Sequence, residues 1–154
     1  MESLPQLTAT MKGVSALLCH NGQTADPRNR FSKAMKAISS KRKKVDADFE
    51  QMAKLEWTAG LYLRDGRLVL PDHVMESCFI GGAKKSKNGV QAKCGVFFDG
   101  DAVLSYDGQP TEPLTEDVLD QMFESGQFSH TVGVKVGMSK VMRCRPVFLS
   151  LIHI

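Results

Sequence analysis

Residues 68–93 read LVLPDHVMESCFIGGAKKSKNGVQAK. Leu68-Val69-Leu70 is apolar and β-prone, and Pro71 cannot extend a hydrogen-bonded ladder. The Asp72 carboxylate suits the start of a helix. Val74, Met75, Cys78 and Phe79 then recur at helical spacing, which predicts a helix with one buried face. Gly81-Gly82 ends that stripe and predicts the end of the helix. A loop carrying Lys84, Lys85, Lys87 and Lys93 follows, with no acidic residue inside it. Four ammonium groups on a glycine-flanked loop suit an extended polyanion better than a small apolar ligand. The plain alternative is a solvated lysine loop that keeps the protein soluble.

Upstream, Arg64-Asp65-Gly66-Arg67 lies between the apolar runs Leu61–Leu63 and Leu68–Leu70, a hairpin signal. Nearer the N-terminus, Leu7, Ala9 and Met11 alternate with polar residues and predict a half-buried first strand; Gly13 interrupts it, and Val14 to Leu18 continue apolar. Asp26-Pro27 predicts the start of a helix, with Phe31, Ala34, Met35 and Ile38 on its buried face. Ser39-Ser40 breaks it. Lys41-Arg42-Lys43-Lys44, the densest positive run, then connects to a second helix. Asp46, Asp48 and Glu50 load the first turn of that helix, where the macrodipole favours anions, and Gly60 ends it. The run reads either as a favourable neighbour of the first helix's C-terminal end or as a phosphate contact.

Downstream, Cys94–Phe98 reads as a strand, Asp99-Gly100-Asp101 as a turn and Ala102–Tyr106 as the returning strand. Residues 107–113 are loop, and Thr115 with Glu116 and Asp117 starts a short helix. Val132, Val134 and Val136 alternate in the first arm of a final hairpin. Arg143 and Arg145 share a face of the second arm, because residues two apart point the same way. With Lys135 and Lys140 nearby in the chain, a basic hairpin face is expected.

The bulk numbers fit one soluble domain: 154 residues, 42% hydrophobic, 24% charged, net charge +3. No apolar run is long enough to cross a bilayer, and no secretory signal layout is present, so a cytoplasmic location is expected. Cys19, Cys78, Cys94 and Cys144 are scattered and read as reduced thiols. His20 and His73 stand in no triad context, no cysteine–histidine spacing suits zinc, and no glycine motif cradles a nucleotide. Asp99 and Asp101 read as turn chemistry before they read as magnesium ligands. No catalytic residue, metal or cofactor is therefore expected. Phe97, Phe98 and Tyr106 read first as core and second as base-stacking platforms.

Leu149–Ile154 reads LSLIHI, the translation of a transposon-end sequencing adapter. The expectation is a single domain over 1–148 and a non-native tail over 149–154, the alternative being a genuine final strand.

The segments LTATMKGVSALLCHNG, ADPRNRFSKAMKAISSKRKKVDADFEQMAKLEW, LVLPDHVMESCFIGGAKKSKNG and VGMSKVMRCRP resemble a family of phage and prophage proteins with no assigned activity, over nearly all of residues 7–148. Members of that family continue into a further strand, helix and glycine-rich end, so the resemblance implies truncation and a bacterial host cytoplasm. Leu70-Pro71 through Lys84 is also distantly similar to the strand–proline–helix element of the RAMP proteins of CRISPR systems, which bind RNA on a ferredoxin-like fold; their C-terminal glycine-rich loop has no counterpart here.

The expected fold is therefore α+β: an antiparallel sheet with packed helices, ferredoxin- or RRM-like at its centre and incomplete at the C-terminus. The expected function is non-catalytic binding of RNA or single-stranded DNA by a phage-encoded protein. Lys41, Arg42, Lys43, Lys44, Lys84, Lys85, Lys87, Lys140, Arg143 and Arg145 would meet the backbone phosphates. The alternative is a module that binds a host or phage protein and no nucleic acid, marked by an exposed apolar patch or an open strand edge.

Overall fold

Asp65 and Gly66 take φ angles of 49° and 69°, the two left-handed positions of a type I′ turn. The turn joins β2 (Leu63–Arg64) to β3 (Arg67–Leu70), as the Asp-Gly pair predicts. Gly66 is required twice over, since a Cβ there would also come within 3.0 Å of Pro113. The computed structural model describes residues 5–149 and the backbone of 151–153.

The remaining elements, in chain order, are β1 (Leu17–Leu18), a 3-10 turn (Gly22–Ala25), α1 (Arg30–Ser39) and α2 (Asp46–Gly60) before the hairpin. After it come α3 (Asp72–Lys85), α4 (Gly89–Gly95), β4 (Ala102–Tyr106), α5 (Glu116–Glu124), β5 (Ser129–Val136), β6 (Ser139–Phe148) and β7 (Leu151–His153). The strands form two antiparallel sheets, ordered β1-β6-β5 and β2-β3-β4-β7. The class is thus α+β, with antiparallel sheets and packed helices. A ferredoxin- or RRM-like centre needs its strands in one sheet; here β1 pairs with β6 while β2, β3 and β4 pair with one another. The first strand is drawn away because Leu17 and Leu18 meet Phe148 and Val147 at the base of the long hairpin. β7, in the segment read as adapter-derived, pairs with the outer side of β4.

The core lies where the two sheets meet α2 and α5. Trp57 of α2 is fully buried, donates Nε1–H to the Phe128 carbonyl (2.8 Å) and meets Phe123 edge-on. Tyr106 of β4, Phe128 and Phe148 of β6 stack with centroids 4.7–5.7 Å apart, so aromatic contacts stitch the sheets together. The segment after β1 wraps the C-terminal end of α2. Gln23 Nε2 donates to the Ala59 carbonyl, Asn21 N–H to Gly60 and Asn21 Nδ2 to Leu61, which satisfies carbonyls that a helix end leaves without partners. A Cβ on Gly60 would lie 2.8 Å from Pro146 Cδ, so this close approach of helix to strand requires glycine.

Several local expectations are corrected. The alternation at Leu7, Ala9 and Met11 forms no strand; Leu7 and Val14 are fully solvent-exposed, Lys12 makes an isolated bridge, and among the described residues Leu17–Leu18 is the one strand of this stretch. α1 starts at Arg30, not after Asp26. The Asp26 carboxylate is taken by the Arg28 N–H, and Asn29 caps the helix by accepting from Phe31 N–H. α3 runs through Gly81-Gly82 to Lys85, and of its predicted buried face only Met75 is buried, while Cys78 and Phe79 are exposed. Each glycine disfavours a helix interior by only about 1 kcal/mol, too little by itself to end the helix. Residues 94–98 form no strand; the chain is still in α4 at Cys94 and Gly95.

Candidate nucleic-acid interface

Each basic cluster sits on different local architecture, and the carboxylates around it differ. Lys41–Lys44 form the connection between α1 and α2, as expected. Lys41 Nζ lies 2.5 Å from Asp48 Oδ1, and Asp48 Oδ2 accepts the Val45 N–H, closing the first turn of α2. The Lys41 hydrogen bond, then the Val45 N–H, hold the Asp48 carboxyl below its usual range. Lys44 Nζ folds back onto the Lys41 carbonyl at 3.1 Å. Arg42 and Lys43 are exposed, with no ion-pair partner among the described residues. This run therefore offers Arg42 and Lys43 freely, while Lys41 is spent on the helix start.

The final hairpin does not present one basic face. Lys140 stands directly opposite Lys135, on the face shared with Met142 and Cys144, whereas Arg143 and Arg145 point to the other face. Arg143 Nη1 is also held 2.6 Å from Glu56 Oε1 of α2. Glu56 Oε2 accepts the N–H of Cys144 at 3.0 Å, so this carboxylate braces the hairpin against α2. Arg145 lies opposite His130 in the ladder. The expected grouping of Lys140 with Arg143 and Arg145 is corrected by strand alternation, which the distance along the chain conceals.

α3 and α4 carry the third cluster. What reads as a loop is two packed helices joined by a tight turn. Lys84 and Lys85 occupy the last turn of α3, where the helix dipole favours cations. Lys87 adopts φ 60° in the turn, and Lys93 lies in the last turn of α4. Gly89 presses on α3 so closely that a Cβ would come 2.5 Å from Lys84 Cγ. All four lysines are exposed, none forms an ion pair among the described residues, and no Asp or Glu occurs from Ser77 to Phe98.

Aromatic rings occur in the same stretch: Phe97 reads in sequence first as core and second as a stacking platform, whereas Phe79 reads only as part of the buried face of α3. Phe97 is 75% exposed and Phe79 47%, with Phe98 meeting Phe79 edge-on at 6.1 Å. Tyr106, by contrast, is buried, and burial pushes its phenol up to about 12. Exposed rings and ammonium groups carried on one helical unit are the two ingredients of single-strand recognition.

Other chemistry is used structurally. Asp101 accepts the Asp72 N–H at the start of α3 and pairs with Arg64 at 3.0 Å. His73 is exposed at the N-terminal end of α3, roughly 16 Å along the helix from Lys84 by its rise per residue. Among the described residues no three His, Cys, Asp or Glu side chains cluster as metal ligands, and no helix is long and apolar enough to cross a membrane. A cleft of about 610 Å³ opens between α1, α2, α5 and β2, but its rim charges are paired as Arg30–Glu116 and Lys54–Asp120. No protein-family model matches the chain, no curated protein matches its sequence, and no solved structure matches its fold.

Proposed function

We propose that the protein is a non-catalytic, phage-encoded nucleic-acid-binding protein that takes RNA or single-stranded DNA on its α3–α4 unit. Lys84, Lys85, Lys87 and Lys93 meet the backbone, and Phe79 and Phe97 offer faces to bases. Arg42 and Lys43 are further phosphate contacts. The observation that carries this reading is the run of 22 residues from Ser77 to Phe98 with four exposed lysines and no carboxylate. Lys41 and Lys54, by contrast, each face an acid at ion-pair distance.

The test is binding of a labelled single-stranded oligonucleotide by anisotropy across a salt series. Each phosphate contact contributes roughly −0.7 to the log–log salt slope, so replacing all four lysines by Gln flattens it by about 3. Referred to 1 M salt, the same change lowers affinity at 0.1 M by about 10²–10³-fold. Absence of binding at low salt, or a variant that binds like the parent, rejects the proposal.

One observation favours a second reading, a module that binds host or phage protein. β5 ends its sheet, and Val45, Phe49, Met138 and Met142 are exposed.

A further inference from the structure

Among the described residues the outer side of β5 is a free strand edge, and the hydrogen bonds of β6 fix which backbone groups it presents. Cys144 N–H donates to Glu56, and the Pro146 carbonyl accepts from Cys19 N–H. Both groups therefore point away from β5. Cys144 stands opposite Thr131 and Pro146 opposite Ser129. In an antiparallel ladder, pairs that exchange hydrogen bonds alternate with pairs that do not. Thr131, Gly133 and Lys135 thus belong to the pairs that do not, and they turn both N–H and C=O outwards. None of these three N–H groups donates to a partner among the described residues.

The two faces of this edge differ. Val132, Val134 and Val136 line one face, where Val132 stands opposite Arg143, itself paired with Glu56, and Val134 opposite Val141; Val132 and Val136 are 37% and 51% exposed. Gly133 and Lys135 line the other, beside Met142 and Lys140. Lys135 and Lys140 are cross-strand neighbours of like charge, an arrangement that disfavours the isolated hairpin. No acidic residue occurs in the chain after Glu124, so nothing within the hairpin relieves it. A second copy of this chain on the edge would add another lysine pair to the same sheet. A carboxylate-bearing strand would neutralise the pair already there.

We propose that the β5 edge accepts an extended acidic peptide as an added strand, with its carboxylates on the Lys135–Lys140 face and its apolar side chains on the valine face. Main-chain hydrogen bonds to Thr131, Gly133 and Lys135 hold the strand, and the alternation of the two faces selects its sequence. This site is separate from the lysines of α3 and α4, so its failure and the failure of nucleic-acid binding are distinguishable.

The probe is a labelled peptide of about ten residues that alternates Glu with Val or Thr, the length of a long strand. The control carries Lys in place of Glu. Anisotropy gives affinity, and amide hydrogen exchange locates the contact. The expected result is binding of the acidic peptide alone, with exchange slowed at Thr131, Gly133 and Lys135. Lys135→Glu converts the like-charge pair into an opposite-charge pair, so the hairpin is retained while affinity for the acidic peptide falls at least tenfold. Four outcomes overturn the proposal: no binding at low salt, equal affinity for the lysine control, slowed exchange confined to other elements, or protection of these three amides by self-association without peptide.

Discussion

Replacing Glu56 by Gln and by Ala separates the two contacts of its carboxylate. One oxygen lies 2.6 Å from Arg143 Nη1, and the other accepts the Cys144 N–H at 3.0 Å. Gln removes the charge and keeps an acceptor for that N–H. The ion pair is partly wet, with the Arg143 side chain 40% exposed and Glu56 22%, so Glu56→Gln costs about 0.5–1 kcal/mol. Ala also strands the N–H of a residue that is only 4% exposed, which adds about 1–3 kcal/mol. Urea unfolding followed by Trp57 fluorescence should therefore place the Ala midpoint well below the Gln midpoint, at unchanged m-value. Oligonucleotide affinity of Glu56→Gln should match the parent, because Arg143 serves as a brace. Equal destabilisation by the two variants would show that the backbone contact contributes nothing. A rise in affinity would show that Glu56 was masking a phosphate-binding arginine.

Trp57→Phe loses the indole hydrogen bond and part of the core volume, while the Phe128 carbonyl keeps its bond from Val147 N–H. The expected cost is about 1.5–3 kcal/mol in thermal or urea unfolding followed by circular dichroism. Asp48 has a folded pKa below its unfolded one, first through Lys41 and then through the Val45 N–H. Its contribution is therefore present above about pH 4 and is lost as pH falls through the folded value. The stability difference between the parent and Asp48→Asn should shrink towards zero as pH is lowered through that range, measured by urea midpoints. Cys78 and Cys94 are exposed, whereas Cys19 and Cys144 are buried, and burial pushes the Cys19 thiol up to about 12. A thiol reagent at pH 8 should label two cysteines quickly and the other two only on unfolding.

Features set by chain-local chemistry were legible in the sequence. Asp65-Gly66 demands left-handed backbone, and Thr115 does cap α5, accepting from the Val118 N–H. So were the connection that carries Lys41–Lys44 and the arms of the last hairpin. Features set by competition between neighbours were not. Asp26-Pro27 looks like a helix start, but Asn29 accepts a helical N–H and Asp26 accepts one from the turn before it. The alternation at Leu7–Met11 suits a strand and lacks a partner, since β6 receives only Leu17 and Leu18 on that side. The basic clusters were visible as charge, but their neutralisation was not. Asp48 lies seven residues from Lys41, while Glu56 is 87 residues from Arg143 and reaches it only once α2 packs on β6. Equally, apolar Phe79 and Phe97 carry no local mark of exposure.

The join between Leu17 and Phe148 closes a loop of about 130 residues, a separation that slows folding. During synthesis the wrap over the end of α2 stays incomplete until β6 has left the ribosome: Asn21 and Gln23 can already bond the helix end, but Cys19 and Gly60 both rest on Pro146. The α3–α4 hairpin, whose contacts are local, is free to form earlier. The lysine-bearing element can therefore stand assembled on a nascent chain whose opening residues are still waiting for their partner.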